Sequence, residues 1–243
     1  MIELINSDCV DALADMFDDS VDMVLTDIPY GECGKDSNGL RLLDMGLADE
    51  VDFDLDHVVD ELVRVCRGSI YVFCGTEQVS LIRGALNQWE LSTRLCIWEK
   101  LNPSPMNGEH IWLSGIECCV YGKKKGATFN RRCTNTVWKF PLGSSKIHPT
   151  MKPLAMMEYL IESSSNEGDS VLDICMGSGT TGVACRNLKR DFVGIEQHKE
   201  YFDIASARIN SRDDKRFLRE SNVVKRAESL VVNNNNNNSK EKK

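Results

Sequence analysis

Residues 170–184 read Ser-Val-Leu-Asp-Ile-Cys-Met-Gly-Ser-Gly-Thr-Thr-Gly-Val-Ala. This stretch predicts an apolar strand with Asp173 near its end, a turn built on Gly177 and Gly179, and a helix that begins at Thr180. Glycines in such a turn let backbone amides approach a ligand closely, and the helix N-terminus offers unsatisfied N–H donors. The stretch is therefore a candidate ligand site as well as one strand-turn-helix unit.

The same alternation of short apolar runs and longer segments of helical period extends over most of the chain, and it predicts an α/β fold with a mostly parallel sheet of seven strands flanked by helices. Strands are expected near residues 2–5, 22–26, 69–74, 93–98, 116–121, 170–174 and 192–195. Helices are expected near residues 8–17, 57–66, 77–87, 153–165, 180–188 and 198–210.

Two long segments, 31–56 and 122–146, interrupt this alternation within an expected single domain of residues 1–210. Long loops without their own secondary structure are uncommon in compact domains and usually bind something, so both are candidate substrate or recognition loops. Residues 211–243 are charge-rich and contain an asparagine run, which predicts a polar, disordered tail.

The composition, 42% hydrophobic and 27% charged over 243 residues, is that of a chain that buries one sizeable core. No apolar run is long enough to span a membrane and the chain starts without a secretory signal, so we expect a cytoplasmic protein. Its ten cysteines form no C-x-x-C pair and are expected to be reduced core thiols, with Cys118 and Cys119 on opposite faces of a strand. No metal site is expected.

Charge is distributed unevenly along the chain. Residues 1–60 carry 17 acidic and 2 basic side chains, whereas residues 100–153 carry 9 basic and 2 acidic ones. The basic stretch indicates either a surface for a polyanion or an ordinary solvated loop.

The glycine turn is open to several interpretations. No lysine follows the second glycine, so it is not a Walker loop, but Gly177, Gly179 and Gly182 do match the dinucleotide pattern of an oxidoreductase-like module. Asp173 would repel a pyrophosphate and attract an amino or sulfonium group, and Glu196 ends the next strand, where a carboxylate can hold ribose hydroxyls. This combination favours S-adenosylmethionine over a dinucleotide or a purely structural turn.

A second motif, Asp27-Ile28-Pro29-Tyr30, follows the strand expected at residues 22–26. Pro29 fixes its own φ and restricts Ile28 to extended geometry, so a carboxylate, a carbonyl and an aromatic ring project rigidly from one sheet edge. Such a group suits the exocyclic amine of a nucleobase such as adenine. Hydrogen bonds from the amine to Asp27 and to the Ile28 carbonyl would favour a pyramidal nitrogen that can accept a methyl group, and Tyr30 would stack on the nucleobase.

On these motifs the chain resembles the β group of the amino-methylating DNA methyltransferases over residues 2–210. The segment 27–30 is similar to the family's Asp-Pro-Pro-Tyr, departing at Ile28, and 145–153 to its His-Pro-Thr-x-Lys-Pro segment. Residues 98–103, with the strand that follows Gly115, resemble the segment that shapes the target-base pocket, and 6–9 resemble the opening segment beside the cofactor adenine.

The resemblance implies a Rossmann-like class I methyltransferase fold with a circularly permuted motif order, and the catalytic residues Asp27, Ile28, Pro29 and Tyr30. With the glycine turn, it gives S-adenosylmethionine as cofactor and a cofactor-binding set: Asp8, Cys9, Asp27, Thr150, Lys152, Pro153, Asp173, Cys175, Gly177, Gly179, Thr180, Thr181 and Glu196. DNA phosphates are expected to contact Lys123, Lys124, Lys125, Arg131, Arg132, Lys139 and Lys146, where the family places its recognition region.

The implied reaction is methylation of adenine N6 in double-stranded DNA, with the base rotated out of the duplex and without a metal. Protein-glutamine and many RNA methyltransferases place the catalytic tetrapeptide after the glycine turn, whereas here Asp27 precedes Gly177. An Asp in the first position favours adenine N6 over cytosine N4. Cytosine N4 remains an alternative, as does a catalytically silent DNA-binding protein, and a homodimer is expected from the resemblance alone.

Overall fold

The computed structural model describes residues 1–30, 53–105, 108–143, 151–219 and 221. The strands are β1 (Ile2–Ile5), β2 (Val21–Asp27), β3 (Cys66–Cys74), β4 (Ser92–Lys100), β5 (Ile116–Lys123), β6 (Val137–Phe140), β7 (Ser170–Asp173) and β8 (Asp191–Ile195). The helices are α1 (Cys9–Ala14), α2 (Leu55–Val65), α3 (Val79–Gln88), α4 (Leu154–Ser164), α5 (Thr180–Leu188) and α6 (Lys199–Asn210), with a 3₁₀ turn at Thr76–Gln78.

The strands form one sheet in the order β1-β8-β7-β2-β3-β5-β4-β6. Neighbouring strands are parallel except where β5 pairs antiparallel with β3 and β4, so β5 alone of these strands runs in reverse. This confirms the α/β class and the mostly parallel sheet. We call the end where the other seven strands finish and β5 begins the carboxyl edge, and the other end the amino edge.

The sheet has eight strands instead of the expected seven, because Val137–Phe140 forms β6 inside the segment 122–146 that was expected to be a loop. Its four residues pair in parallel with the outer side of β4 through Ile97–Lys100. β1 and β7 are as short, but β6 lies inside a basic segment without a helical period directly after it, so only the tertiary pairing with β4 reveals it.

Apolar side chains bury both faces of the sheet. One core cluster contains residues of α1, α2 and α3, and the other contains residues of α4, α5 and α6. Cys118 belongs to the first cluster and Cys119 to the second, which confirms that the two point to opposite faces. Cys66, Cys74 and Cys96 are buried free thiols.

The chain differs from expectation just after α6. Residues 214–219 are helical, although disorder was expected from Ser211 onward. The reason is that the Arg208 guanidinium, only 1% exposed, pairs with Asp214 at 2.7 Å, which ties the start of the tail to the core. The asparagine run lies outside the described residues. Among the helices that are described, none is both long and apolar enough to cross a membrane.

Candidate active site

The predicted catalytic tetrapeptide begins at the last residue of β2, at the carboxyl edge. The Ile28 N–H donates to the Phe73 carbonyl at 3.2 Å, so the ladder between β2 and β3 continues one residue beyond Asp27. The Ile28 side chain is buried at 2% exposure. No residue in the described part of the chain donates a hydrogen bond to the Ile28 carbonyl, which belongs to the residue directly after Asp27.

Gln78, which the sequence did not single out, fixes the tetrapeptide from the neighbouring strand connection. Its side-chain amide donates to the Pro29 carbonyl at 2.9 Å, and its amide oxygen accepts from the Gly75 N–H at 2.9 Å. A Cβ atom at Gly75 would lie 3.3 Å from the Tyr30 Cβ, so the tetrapeptide packs closely on this turn. No sequence pattern marks a glutamine in a short turn as a clamp.

Asp27 takes part in a network of charges that joins β2, β4, β5 and the segment leading into α4. Its Oδ1 accepts from the Tyr30 hydroxyl at 2.9 Å and its Oδ2 from the Lys152 ammonium at 2.5 Å. The same ammonium lies 3.0 Å from Oε2 of Glu117, whose Oε1 pairs with Lys100 at 2.9 Å. Glu117 is a second residue of this network that the sequence motifs did not identify. Its signal was its position one residue inside the strand that follows Gly115.

Burial and ion pairing shift the pKa values of these groups in opposite directions. Burial raises the pKa of the Asp27 carboxyl, while the Lys152 ammonium works against that rise. Burial would also raise the pKa of Glu117, but Lys152 and Lys100 together bring it below its usual value. Although burial lowers the pKa of Lys152, the two carboxylates more than offset this, and the ammonium stays charged.

Lys152 was expected to serve the cofactor, and the structure places its ammonium against the tetrapeptide. It contacts Asp27, Glu117 and the Tyr30 hydroxyl and lies 5.4 Å from the Tyr30 ring centroid. The next residue, Pro153, is the N-cap of α4, so the start of this helix fixes where Lys152 enters the site. Thr150 lies outside the described residues.

The glycine turn connects β7 to α5 as predicted. Asp173, the last residue of β7, is 3% exposed and accepts from the Thr181 hydroxyl at 2.6 Å and the Cys175 N–H at 3.2 Å. Burial raises the pKa of its carboxyl to about 7. Glu196 follows β8, is 7% exposed, and accepts from the N–H groups of Gly177 and His198, each at 2.9 Å.

The three glycines of the turn have different roles. Gly177 and Gly179 adopt φ values of 49° and 78°, a region that favours glycine, and Gly179 is the N-cap of α5. A Cβ atom at Gly182 would lie 2.5 Å from Ile209 and 2.7 Å from Phe192. The third glycine therefore allows α5 to pack closely on α6 and β8, and the dinucleotide pattern has a structural explanation.

Arg208, which the sequence motifs did not identify, supports this turn from α6. Its guanidinium donates to the Ser178 carbonyl at 3.1 Å and to the Thr180 hydroxyl at 2.9 Å. Its charge is balanced by Asp214. An arginine on a helix normally reads as solvent-facing, so only the packed structure identifies it as a support of the turn.

The first predicted cofactor segment also reaches the carboxyl edge. Asp8 is the N-cap of α1, and its Oδ1 accepts from the Val10 N–H at 2.7 Å. Cys9 is buried, and the partly buried Cys175 packs against the same core cluster. The Asn6 side chain donates to the Glu196 carbonyl at 2.7 Å and thereby joins the ends of β1 and β8. Four carboxylates, on Asp8, Asp27, Asp173 and Glu196, thus surround one edge of the sheet.

These residues suit a cofactor that carries a positive charge and hydroxyl groups. Asp173 and Glu196 are both buried acids, and neither forms an ion pair with a lysine or arginine in the described residues. Backbone N–H groups hold both carboxylates in place. A buried carboxylate without a cation is a receptive partner for an ammonium, and strand-end acids can hold ribose hydroxyls.

The structure does not bring most of the predicted phosphate contacts to this site. Because β5 runs in reverse, Lys123 ends it at the amino edge, about 17 Å along the strand from Cys118. Lys124 pairs there with Asp19 at 3.0 Å, and Arg131 pairs with Glu162 at 3.0 Å. Lys125 and Arg132 share this stretch, which lies at the end of the sheet opposite Asp27.

Two other residues of that predicted set have different positions. Lys139 lies in β6, pairs with Glu99 at 3.1 Å and is near the carboxyl edge, whereas Lys146 lies outside the described residues. The connection between β4 and β5 also projects from the carboxyl edge, held at its base by a 2.8 Å hydrogen bond from the Lys100 N–H to the Gly115 carbonyl. It exposes Trp112 at 95%.

Comparisons with known proteins agree with this geometry. The family model for N6 and N4 methyltransferases, described as DNA methylase, matches residues 101–207. Type II methyltransferase M.HpaI of Haemophilus parainfluenzae is 31% identical over 236 residues, which cover 86% of this chain and 74% of that protein. Type II methyltransferase M2.DpnII of Streptococcus pneumoniae is 26% identical, with 87% of this chain and 90% of that protein covered.

Solved structures show the same fold. The crystal structure of the M1.HpyAVI-SAM complex has a TM-score of 0.69 and 31% sequence identity, and the match covers 87% of this chain and 100% of that one. The cytosine-N4-specific PvuII DNA methyltransferase is only 14% identical, with a TM-score of 0.66, and shows the fold alone. Together with the site at the carboxyl edge, these matches show that the chain belongs to the β group of the S-adenosylmethionine-dependent amino DNA methyltransferases.

Proposed function

We propose that this chain transfers a methyl group from S-adenosylmethionine to the N6 amino group of adenine in DNA. The observation that carries the proposal is the pair of acceptors at the end of β2: the Asp27 carboxylate, next to an Ile28 carbonyl to which no described residue donates. Two adjacent acceptors match the two hydrogens of an exocyclic amine.

These acceptors address the chemical difficulty of the reaction. The lone pair of an exocyclic amine is delocalised into the ring, and two hydrogen bonds that hold its hydrogens out of plane return that pair to the nitrogen. As the C–N bond forms, the bond from the methyl carbon to the cofactor sulfur would break and leave its electron pair on sulfur. The nitrogen would then carry an extra proton, which the Asp27 carboxylate is placed to accept. Holding the nucleophile in line with the methyl group contributes ~7–11 kcal/mol when the geometry is near attack.

We propose that the cofactor is held along the carboxyl edge by Asp173, Glu196, Asp8 and the turn at Gly177. Asp173 is assigned to its ammonium and Glu196 to its ribose hydroxyls, which is supported by their burial and by the lack of a lysine or arginine partner in the described residues. When bound, the cofactor supplies an electrophilic methyl group on a sulfonium.

The DNA-facing surface in this proposal is the carboxyl edge, with the connection between β4 and β5 that exposes Trp112 and with Lys139 nearby. Tyr30 lies beside Asp27 and provides a ring on which an extruded base can stack. The family resemblance extends the proposal to double-stranded DNA, to a homodimer and to a cytoplasmic location.

Cytosine N4 is the second candidate, because its amine would use the same two acceptors. The experiment that separates the two is incubation of the purified protein with S-adenosylmethionine and unmethylated DNA, digestion to nucleosides, and mass spectrometry. We expect N6-methyladenine from the wild type, none from Asp27→Ala, and a normal yield from Asp60→Ala, an exposed carboxylate on α2. N4-methylcytosine would change the base and keep the mechanism, whereas no product from the wild type would refute the proposal.

A further inference from the structure

Four charged side chains form a mostly buried quartet at the end of β2: Asp27, Glu117, Lys152 and Lys100. Their side chains are 22%, 19%, 4% and 11% exposed, respectively. Burying an ammonium this deeply is costly unless carboxylates surround it, and removing one partner of such a set leaves an uncompensated charge. The formal charges of the quartet, two carboxylates and two ammonium groups, sum to zero. The charged form of each member is therefore stabilised by the others.

Glu117 fixes the position of Lys152. Its two carboxylate oxygens receive two different ammonium groups, Lys100 from the end of β4 at 2.9 Å and Lys152 from the start of α4 at 3.0 Å. The carboxylate is therefore oriented by two separate elements. Lys152, held between Glu117 and Asp27, makes a third polar contact with the Tyr30 hydroxyl at 3.2 Å.

The Lys152 ammonium does not block Asp27. It takes one position on Oδ2, and the Tyr30 hydroxyl takes one on Oδ1. An ionised carboxylate offers about four acceptor positions, so Asp27 keeps room for an incoming amino hydrogen. What the ammonium restricts is the rotation of the carboxylate about its Cβ–Cγ bond.

We propose that Glu117 and Lys152 are positioning residues for methyl transfer: Glu117 anchors the Lys152 ammonium, which keeps Asp27 ionised and oriented to accept a hydrogen of the target amine. This inference rests on the proposed function, in that Asp27 must be the residue that meets the amine. It assigns Lys152 to the catalytic carboxylate instead of the cofactor, and it gives a role to Glu117.

The charges that face Asp27 set the sign of the expected effects. Lys152 lowers the pKa of the Asp27 carboxyl and Glu117 raises it. The other groups near it are the Tyr30 hydroxyl, the thiols of Cys74 and Cys119, and the carboxyl of Asp173. The thiols and the hydroxyl are neutral near pH 7, since burial raises the pKa of each. Removing Lys152 should thus raise the pKa of Asp27, and removing the charge of Glu117 should lower it.

The test is the pH dependence of single-turnover methylation, followed with labelled S-adenosylmethionine and unmethylated DNA from pH 5.5 to 9. On the acid limb, the low-pH side of the profile, the rate falls as Asp27 is protonated. In Lys152→Met this limb should move up by about one pH unit or more, which is a tenfold loss of rate there. In Glu117→Gln the acid limb should move to lower pH. Lys152→Arg keeps the charge, so its acid limb should return toward that of the wild type even if its plateau rate falls.

The matched controls are Lys189→Met and Glu167→Gln, which break an exposed pair at the amino edge and should leave the profile unchanged. Acid limbs that stay in place, or that move in the same direction in Lys152→Met and Glu117→Gln, would overturn the inference while the wild type remains active. An inactive wild type or an active Asp27→Ala would instead overturn the proposed function. If Lys152→Met does not fold, Glu117→Gln and Lys152→Arg still decide the outcome.

Discussion

Replacing Asp173 with asparagine should remove a pH-dependent cost that the wild type carries in its folded state. The Asp173 side chain is 3% exposed, and burial raises the pKa of its carboxyl from 3.8 to about 7. A shift of one pKa unit corresponds to about 1.4 kcal/mol, so the full cost of ionising this group in the fold is about 4 kcal/mol. Asparagine has the same shape and cannot ionise.

The sign follows from proton binding in the two states. Between pH 3.8 and about 7 the folded protein keeps a proton on Asp173 that the unfolded chain has lost. The free energy of unfolding of the wild type therefore falls as the pH rises through this window, and the loss is complete above the folded pKa. The variant lacks this loss. Its advantage over the wild type should grow by about 2 kcal/mol between pH 5.5 and 8.5, which is the part of the window that this range covers.

The assay is urea unfolding of wild type and Asp173→Asn without cofactor, at pH 5.5, 6.5, 7.5 and 8.5, followed by circular dichroism. A constant part of the difference between the two proteins would report only the exchange of the Asp173 carboxylate for an amide as the acceptor of the Thr181 hydroxyl. Stability curves that stay parallel over the whole range would refute the reasoning, because they would mean that burial does not raise the pKa of Asp173. In the wild type, S-adenosylmethionine should bind more tightly as the pH rises toward 7, and this dependence should be lost in the variant.

Three further perturbations test other parts of the structure. In Gly182→Ala, the new methyl group would overlap Ile209, so we expect a loss of about 1–3 kcal/mol in the free energy of unfolding, measured by urea denaturation. Gln78→Ala removes the hydrogen bond to the Pro29 carbonyl, and it should lower the single-turnover rate several-fold while cofactor affinity by calorimetry stays within twofold. Lys124→Ala at the amino edge should leave both DNA affinity and its salt dependence unchanged in fluorescence anisotropy. A smaller dependence of affinity on salt in this variant would show that Lys124 contacts DNA phosphates.

The parts of the site that the sequence predicted are those with local physical causes. Two glycines at positive φ and the helix that follows them produced a turn and an α5 (Thr180–Leu188) at the expected residues. Pro29 restricts its own backbone and that of Ile28, and the tetrapeptide follows β2 directly. Alternating side-chain direction placed Cys118 and Cys119 on opposite faces.

The parts it missed involve residues that are far apart in the chain. Glu117 and Lys152 carry no shared motif, and they meet because β5 begins where α4 begins, at the carboxyl edge. Gln78 and Arg208 support the two motifs through hydrogen bonds to backbone carbonyls, which any sequence window would read as surface polar residues. β6 has as many residues as β1 and β7, but it lies within a basic segment and is identified only by its pairing with β4.

The sequence by itself determined the α/β class, the permuted order of the two motifs, the strand-end acids Asp27, Asp173 and Glu196, and the type of cofactor that such a set receives. Only the tertiary structure decided which charges meet. The direction of β5 is the clearest case, because hydrophobic periodicity is the same for a strand read in either direction, and its reversal carries Lys123 to the amino edge while it brings Glu117 to Asp27. Local chemistry thus predicts the groups that a site contains, and the packing of distant segments fixes their partners and their charge states.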